Sequence, residues 1–310
     1  MRSFRPALLL MALVSSLFMA ACGSSSTASV PAGCTPPTGV DTTKLSLVSA
    51  GKLTVATDAS YPPQENKDPA TSSIIGLEPD LVKEFAKRLC LTPNIQDAKF
   101  DSILTGITAA TPGNQNYDMS LSAFTITSAR LKQVDMIPYF TAGESLLVAS
   151  GNPKNIKSKN DLCGLAVAVE AGTVEEAEIK LVEGSSTPPV LNGAGGACVK
   201  NPVKLQSLGT QDQVIQALQN GSVDATYQDS PVSGYYNKKA GGNFVEITTV
   251  SPAPEGIVVR KDNTPFESAI KAVLKAMQSD GTYDSILKTW GLSNGTCTLD
   301  SACATGAPTA

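Results

Sequence analysis

Arg130 is the residue of this chain whose position most strongly suggests a binding role. The segment from Tyr117 to Phe140 begins with the alternation typical of a strand, and Thr127 then fits the N-cap of a helix that begins at Ser128. A cation in the first turn of a helix is disfavoured by about 0.3–1 kcal/mol because the helix dipole is positive there. The arrangement therefore predicts a carboxylate receptor built from the guanidinium, free backbone N–H groups and the hydroxyls of Thr125 and Thr127. The alternative is an exposed arginine paired with a surface acid.

The composition excludes several kinds of chemistry. The chain has no histidine and no Cys-x-x-Cys pair, which rules out the usual zinc sites and histidine-based triads. We therefore predict no metal, no cofactor and no catalytic residue. The formal net charge is −4 and becomes −6 without Arg2 and Arg5, which does not suggest nucleic-acid binding.

The N-terminal residues predict export. Arg2 and Arg5 precede an apolar run from Ala7 to Ala21, which has the charge pattern of a secretory signal and is short for a membrane-spanning helix. The sequence Met19-Ala20-Ala21-Cys22 resembles the lipobox of bacterial lipoproteins, with methionine where leucine is usual. We predict a signal peptide at residues 1–21, lipidation of Cys22, and a flexible Gly, Ser, Thr and Pro-rich tether at residues 22–50. The alternative is a cleaved secretory peptide without a lipid.

Strand and helix signals alternate from Gly51 onward, which is typical of an α/β protein with mostly parallel strands. We predict a strand at Leu53–Thr57, a helix with Pro79 at its first position, a strand at Asn94–Ala98 and a helix capped by Asp101. A second unit opens with the buried strand that precedes Thr173. The apolar stripe of the C-terminal helices needs a partner, which a return to the first unit would supply.

Six cysteines remain besides Cys22, and an even number in an exported chain favours disulfides. We consider three pairs: Cys163–Cys198 within one lobe, Cys297–Cys303 closing a small C-terminal loop and, by elimination, Cys34–Cys90. The sequence alone does not fix the connectivity, so free or differently paired thiols stay open.

Eight stretches between Gly51 and Leu292 carry a family resemblance: GKLTVATDASYPP, IIGLEPDLVKEFAKRL, KFDSILTGI, YDMSLSAFTITSARLKQVDMIPYF, LAVAVEAGT, VDATYQDSP, EGIVVRKDN and SDGTYDSILKTWGL. In this order they resemble the bacterial solute-binding proteins of family 3, the extracytoplasmic amino-acid receptors of ABC importers. The resemblance implies the type II periplasmic-binding-protein fold, with two α/β lobes joined by a two-strand hinge. We expect lobe 1 at residues 51–143 and 249–296, lobe 2 at residues 144–248, and a C-terminal tail at residues 297–310.

The resemblance also implies how the backbone end of an amino acid would be held. Arg130 would bind the α-carboxylate, together with donors from Thr125 and Thr173. The carbonyl of Ala123 and the carboxylate of Asp229 would hold the α-ammonium, so that a zwitterion would join the two lobes. Asp229 alternatively caps the helix that follows it.

The residues expected around the ligand's side chain are fewer. Tyr61 and Phe100 match aromatic walls in the family, and Asp58 matches a position that contacts the side-chain head group. Their alternatives are ordinary core aromatics and a turn residue.

Two departures from the family pattern concern the pocket's charge. After YPP, relatives usually have a phenylalanine, whereas this chain has Gln64 followed by Glu65. This difference predicts that the mouth of lobe 1 is more polar than in the relatives. Glu170 stands where a neutral or basic residue is more usual, and Asp58 and Glu175 would lie near it. The excess negative charge predicts a polar amino acid as ligand, with arginine, lysine or ornithine first and glutamine next.

Together these inferences predict a monomeric extracytoplasmic protein, held at the membrane by its lipid, that binds an amino acid and delivers it to the transmembrane subunits of an ABC importer. It would not be an enzyme. Two alternatives remain: a cyclohexadienyl or arogenate dehydratase on the same fold, and a ligand-sensing input to a membrane receptor.

Overall fold

A computed structural model describes residues 34–109, 116–180, 190–248 and 252–301 of the chain. The predicted signal peptide, the lipidation site Cys22 and the predicted disulfide partner Cys303 lie outside the described residues. Over the described ranges, no helix is both long and apolar enough to cross a lipid bilayer.

The first part of the chain forms most of one α/β lobe, which we call lobe 1. Its strands are β1 (Lys52–Thr57), β2 (Ser60–Tyr61), β3 (Glu65–Lys67), β4 (Ile74–Ile75), β5 (Thr92–Asp97), β6 (Met119–Ser120) and β7 (Val134–Ala142). Its helices are α1 (Leu77–Arg88), α2 (Phe100–Thr108) and α3 (Ser128–Leu131).

The middle of the chain forms the second lobe, lobe 2. Its strands are β8 (Glu144–Ala149), β9 (Ala166–Glu170), β10 (Lys204–Leu208), β11 (Ala225–Asp229) and β12 (Phe244–Thr248). Its helices are α4 (Val174–Ile179), α5 (Gln211–Gln219) and α6 (Ser230–Lys239). The chain then returns to lobe 1 with β13 (Ala253–Arg260), α7 (Thr264–Ser279) and α8 (Thr282–Thr289).

The main sheet of lobe 1 has the strand order β5-β1-β6-β13-β7. Strand β1 pairs in parallel with both β5 and β6, and every residue of β1 after Lys52 is buried. Helices cover both faces of a parallel sheet, which accounts for the continuous burial of the strand, including its two threonines Thr54 and Thr57. The carboxyl ends of β1 and β6 consequently lie at one edge, where open α/β sheets bind ligands.

Lobe 2 repeats this arrangement. Its sheet has the order β10-β9-β11-β8-β12, with β9 parallel to both β10 and β11. Glu170 is the last residue of β9 and Asp229 is the last residue of β11. Because parallel strands end at the same edge, the two carboxyl groups are brought to the same side of lobe 2.

The chain passes between the lobes twice, once between β7 and β8 and once between β12 and β13. After the second passage, the apolar stripe of α7, which includes Phe266, Ile270 and Leu274, packs in one core with Leu81 and Phe85 of α1. The predicted partner of the C-terminal helices is therefore lobe 1.

The chain packs against lobe 1 before residue 51, where we expected the tether to end. Leu45 is 1% exposed and belongs to the core of lobe 1, and the backbone N–H of Val48 donates to Asp118 at 2.7 Å. At the other end, Cys297 is fully buried, although we expected a tail to begin there. Both segments carry residues that are buried in the core, and removing apolar surface from water stabilises the folded state.

Two of the three cysteine pairs that we considered are formed: Cys34–Cys90 and Cys163–Cys198. Their sequence separations are 56 and 35 residues, and closing loops of this size typically stabilises a fold by about 2–4 kcal/mol. Cys297 is also disulfide-bonded.

Two helix starts differ from the sequence prediction. Helix α1 begins at Leu77, so Pro79 occupies its third position and not the first. Gly76 precedes it with φ of +142°, and a Cβ there would lie 2.1 Å from the carbonyl oxygen of Gln64, so only glycine fits this close approach. Helix α2 begins at Phe100 with Lys99 at the cap, which makes Asp101 its second residue.

Candidate functional site

A narrow cavity lies between the two lobes. Every residue that we predicted for the ligand site lines it: Asp58, Tyr61, Phe100, Ala123, Thr125, Arg130, Glu170, Thr173 and Asp229. The carboxyl ends of the strands in both sheets therefore converge on one enclosed space. The role of each residue toward a ligand stays a prediction.

Arg130 reaches this cavity from the one-turn helix α3. Thr127 caps the helix, as predicted, and its hydroxyl accepts the backbone N–H of Arg130 at 3.2 Å. Because the helix has four residues, its dipole is small and disfavours the charge of Arg130 less than the sequence predicts. The guanidinium is instead oriented by carbonyl groups: Nη1 donates to Thr125 at 2.7 Å, and Nη2 donates to Gly172 of lobe 2 at 3.1 Å.

Two phenylalanine rings support the guanidinium. Phe100 and Phe124 stack with their centroids 4.2 Å apart, and the guanidinium carbon of Arg130 lies 5.5 Å and 5.0 Å from the respective centroids. Both distances suit a cation–π contact. Burial lowers the pKa of Arg130 to about 10, an effect that the nearby carboxylates of Glu175 and Asp229 oppose. The side chain therefore remains charged at neutral pH in a poorly hydrated place.

Asp229 approaches the cavity from the opposite lobe. It precedes α6, but its side chain makes no capping hydrogen bond, which removes the alternative that it serves as a helix cap. The hydroxyl of Tyr61 donates to its carboxylate at 2.9 Å and accepts its backbone N–H at 3.0 Å. Burial and the nearby carboxylates of Glu255 and Glu144 raise the pKa of Asp229 well above its usual range.

Asp58 and Glu170 face the cavity from different lobes. Asp58 accepts the hydroxyl of Ser60 at 2.6 Å and the backbone N–H of Phe100 at 3.0 Å. Glu170 is 2% exposed, and its Oε1 has no hydrogen-bond partner. Burial raises the pKa of both carboxyl groups, and that of Glu170 is raised further by Asp58.

The cavity wall is strongly unbalanced in charge. Four carboxyl groups line it, from Asp58, Glu170, Glu175 and Asp229. Arg130 is the one cationic side chain among the lining residues that the structure describes. Burying an ionised carboxylate without a partner is unfavourable in free energy. The cavity wall therefore favours protonation of these groups or the binding of a cationic ligand.

Hydrogen bonds connect the lobes across the cleft. Besides the contacts of Arg130 with Gly172 and of Tyr61 with Asp229, the backbone N–H of Gln211 donates to the hydroxyl of Ser60 at 2.9 Å. The described conformation is therefore a closed one, in which both lobes touch the same small volume.

Three lining residues were absent from our predicted site: Ser122, Val174 and Glu175. Ser122 follows β6 at the ligand edge of the sheet, a position that could have indicated it. Its hydroxyl accepts the N–H of Asp58 at 2.9 Å and donates to Glu65 at 2.8 Å. Glu175 had been expected near the pocket only as a source of charge. Its Oε1 has no hydrogen-bond partner.

Gln64 and Glu65 do not lie at the mouth of lobe 1, contrary to our prediction. Both are fully buried, because β2, β3 and β4 form a small sheet that turns their side chains under the cavity. Gln64 donates to Glu255 at 2.7 Å. Burial and mutual repulsion raise the pKa of Glu65, whose nearest acidic neighbour is Glu78, and the pKa of Glu255 is raised to about 8.

This buried acid cluster also fixes the backbone of Ala123. Ala123 has φ of +47°, which alanine rarely adopts, and its N–H donates to Glu78 at 2.9 Å. Tyr139 donates to Glu78 and lies 3.2 Å from Glu255. The carboxyl of Glu78 thus stabilises a strained residue in the cavity wall. Within the part of the chain that the structure describes, no group of side chains is arranged to hold a metal ion.

Comparison with known sequences gives a consistent assignment. The sequence model of the bacterial extracellular solute-binding proteins, family 3, matches residues 53–293. The arginine-binding protein ArgT of Corynebacterium glutamicum is 31% identical over 252 residues, which cover 80% of this chain and 77% of that protein.

Comparison with solved structures agrees. An ancestral arginine-binding protein bound to arginine superposes with a TM-score of 0.68 at 32% identity, covering 77% of this chain and 98% of that one. An ancestral arginine-binding protein bound to glutamine gives 0.68 and 32%, covering 79% and 99%. The ancestral amino acid-binding protein AncCDT-1, a precursor of cyclohexadienyl dehydratase, gives 0.64 and 31%, covering 77% and 95%. The predicted two-lobed type II fold is confirmed.

Proposed function

The chain belongs to family 3 of the bacterial extracellular solute-binding proteins, and on that premise we propose that it binds a cationic amino acid, arginine, lysine or ornithine, between its lobes. The bound amino acid is then delivered to an ABC importer. Glutamine is the next candidate ligand.

One observation carries this proposal: a single cation and four carboxyl groups line one closed cavity. An amino acid with a cationic side chain has one anionic and two cationic groups. Its carboxylate pairs with Arg130, its ammonium with Asp229, and its side-chain cation with Asp58 and Glu170. Each charged group of the ligand then finds a partner of opposite sign, as burial requires.

A neutral or acidic side chain fits the same wall less well. It leaves the carboxyl groups of Asp58 and Glu170 without a cation, and an acidic side chain adds repulsion in a medium of low dielectric constant. The side chain of an amide such as glutamine can still hydrogen-bond to a protonated carboxyl group. Arginine and glutamine are also the ligands bound in the two ancestral arginine-binding protein structures.

Phe100 contributes an apolar surface to the side-chain part of the pocket. Its ring already stacks on Phe124 and lies beside Arg130. The rings of Phe100 and Tyr61 provide walls for the aliphatic stem of arginine or lysine, whose burial adds about 25 cal/mol per Å² of apolar area.

Closure follows from ligand binding in this proposal. Arg130 belongs to lobe 1, whereas Glu170 and Asp229 belong to lobe 2. A ligand that pairs with both sides stabilises the closed state relative to an open one and so shifts the equilibrium toward it. The closed state is the form that an importer would distinguish from the empty receptor.

The proposal includes attachment to the membrane through a lipid on Cys22, with the protein working as a monomer beside the transmembrane subunits of the importer. The signal-like segment and the lipobox-like sequence before Cys22 support this part. Mass spectrometry of the protein from its native host would test it through the mass of the N-terminal peptide.

A dehydratase remains the second candidate, since AncCDT-1 is named as the precursor of such an enzyme. Glu170 is a buried carboxyl group in a cleft and, with its pKa raised by burial, could donate a proton to a leaving group. Incubation with prephenate or arogenate separates the two functions, because we expect no turnover. A sensing role would use the same binding chemistry with another membrane partner.

Calorimetric titration with the standard amino acids and ornithine tests the proposed function. We expect arginine, lysine or ornithine to bind most tightly, followed by glutamine. Tight binding of apolar or acidic amino acids alone would contradict the proposal.

A further inference from the structure

Asp58 and Glu170 form a pair of carboxyl groups that spans the two lobes. Their side chains are 3% and 2% exposed, and both line the cavity from opposite lobes. Two ionised carboxylates repel each other in such a place and are acceptors only, so a hydrogen bond between them requires a proton. A proton shared by the two groups would relieve this repulsion.

The hydrogen bonds of the pair indicate where that proton resides. Both oxygens of Asp58 accept donors, from Ser60 and from the backbone of Phe100, and such bonds favour the ionised form. Glu170 retains an oxygen without a partner. Glu170 is accordingly the protonated member and donates to Asp58.

Among the described residues, no lysine or arginine forms a salt bridge with either carboxyl group of the pair, although Asp58 shares a second pocket with Lys67, Lys99 and Asp212. The titratable groups that face it are Asp97, Glu65, Glu175, Tyr61, Tyr236 and Lys67. Lys67 forms a salt bridge with Asp97 and is half exposed. Arg130 lines the same cavity and donates to Thr125 and Gly172.

We propose that Glu170 and Asp58 act as a proton-exchange pair that lets one cavity accept both cationic and neutral polar side chains. A cationic head group replaces the shared proton, which passes to solvent, and the two carboxylates then face the cation. A neutral amide binds while the proton stays on the pair, and Glu170 donates to the amide oxygen. This inference rests on the proposed amino-acid binding and adds Glu170 as the residue that sets the specificity.

The exchange has a pH signature. Binding a cationic ligand releases a proton, so its association constant rises with pH by up to about tenfold per pH unit while the pair is protonated. Binding of glutamine leaves the proton count unchanged, so its affinity stays nearly level over the same range. The preference for arginine over glutamine therefore grows as the pH rises.

Calorimetry in buffers of different ionisation enthalpy at one pH measures the proton count directly. For the wild-type protein we expect release of about one proton with arginine and close to none with glutamine. In Glu170→Gln, proton release with arginine should fall to near zero, and the arginine-to-glutamine affinity ratio should fall about tenfold or more because a charged partner is lost. Asp58→Asn provides a second variant with the same expectation.

The control is Glu246→Gln. Glu246 also lies in lobe 2 and has a pKa raised by burial, but it does not line the cavity. Its substitution should leave the proton counts and the affinity ratio unchanged.

Equal proton release with both ligands in the wild-type protein, or unchanged release in the Glu170 and Asp58 variants, would overturn the inference while leaving amino-acid binding intact. Absence of binding by both arginine and glutamine would overturn the proposed function and this inference together.

Discussion

The two lobes present different sets of charged groups to the cavity. Lobe 1 contributes a cation, Arg130, held against the stacked rings of Phe100 and Phe124. Lobe 2 contributes the carboxyl groups of Glu170 and Asp229 at the ends of two parallel strands. Asp58 of lobe 1 follows β1 directly and lines the same cavity, so both lobes place carboxyl groups at strand ends, and Arg130 is the one cation among the described lining residues. Because Glu170 and Asp229 lie in lobe 2, a ligand that pairs with Arg130 and with these acids couples binding to closure.

Removing the cation of lobe 1 should have the largest effect. In Arg130→Ala, the ligand carboxylate would be buried without its main partner, which costs about 2–5 kcal/mol. We expect no measurable binding of arginine by calorimetry. Lys132→Ala, which removes an exposed cation at the end of the same helix, should bind normally. Wild-type affinity in Arg130→Ala would show that the carboxylate is held elsewhere.

Neutralising lobe 2 should have the next largest effect. Asp229→Asn keeps the size of the side chain but removes the charge that we assign to the ligand's ammonium, and a hydrogen bond to a charged group contributes about 1.5–3 kcal/mol. We expect the dissociation constant for arginine to rise accordingly in the same titration. An unchanged dissociation constant would mean that Asp229 does not hold the ammonium group of the ligand.

Besides Asp58, lobe 1 contains the fully buried acids Glu65, Glu78 and Glu255, and their burial predicts a pH effect on stability. Burial and the nearby Glu78 raise the pKa of Glu255 to about 8, from about 4.3 in an unfolded chain. The folded state therefore binds more protons between these values, and its free energy of unfolding should fall as pH rises, by up to about 1.4 kcal/mol per pH unit and proton.

Denaturant unfolding from pH 5 to pH 8 measures this slope. Glu255→Gln should flatten it, whereas Asp284→Asn, at an exposed position on α8, should leave it as in the wild-type protein. A slope of equal size in Glu255→Gln would assign the effect to other acids.

The direct link between the lobes should have the smallest effect. Tyr61→Phe removes the hydroxyl that bonds to the carboxylate and the backbone N–H of Asp229, which is expected to weaken arginine binding by about 0.5–1.5 kcal/mol. Small-angle scattering of the unliganded protein should show a larger radius of gyration. Tyr235→Phe, half-buried in lobe 2 and outside the cavity, is the control. If Tyr235→Phe weakens binding as much as Tyr61→Phe does, the hydrogen bonds between Tyr61 and Asp229 make no specific contribution to arginine binding.

The sequence was sufficient for nine of the twelve residues that line the cavity, but not for Ser122, Val174 and Glu175. Apolar strands such as β1 are followed by polar residues, and the order of the motifs predicts Asp58, Arg130 and Asp229 in one site. Residues at the carboxyl ends of strands were the easiest to predict. Parallel strands bring such residues to one edge of the sheet even when they are distant in sequence.

Other features depended on contacts that sequence patterns do not contain. Gln64 and Glu65 follow two prolines, which favours an exposed loop, yet pairing between β2, β3 and β4 buries them. The length of α3 was also hidden, because its cap at Thr127 resembles that of a longer helix. Leu45 lies in a stretch of mixed polar and apolar residues without a clear period, and packing against the core of lobe 1 explains its burial.

The Cys34–Cys90 disulfide has a mechanical consequence. It fastens the N-terminal segment just beyond the end of α1, in lobe 1. If Cys22 carries a lipid, 12 positions separate the lipid from the disulfide at Cys34. A chain of that length spans about 40 Å at most when it is fully extended. Any pull from the membrane then acts on lobe 1 alone. Lobe 2 would then be free to move relative to the anchored lobe 1. The length of the N-terminal segment would set how far from the bilayer the protein can contact the importer.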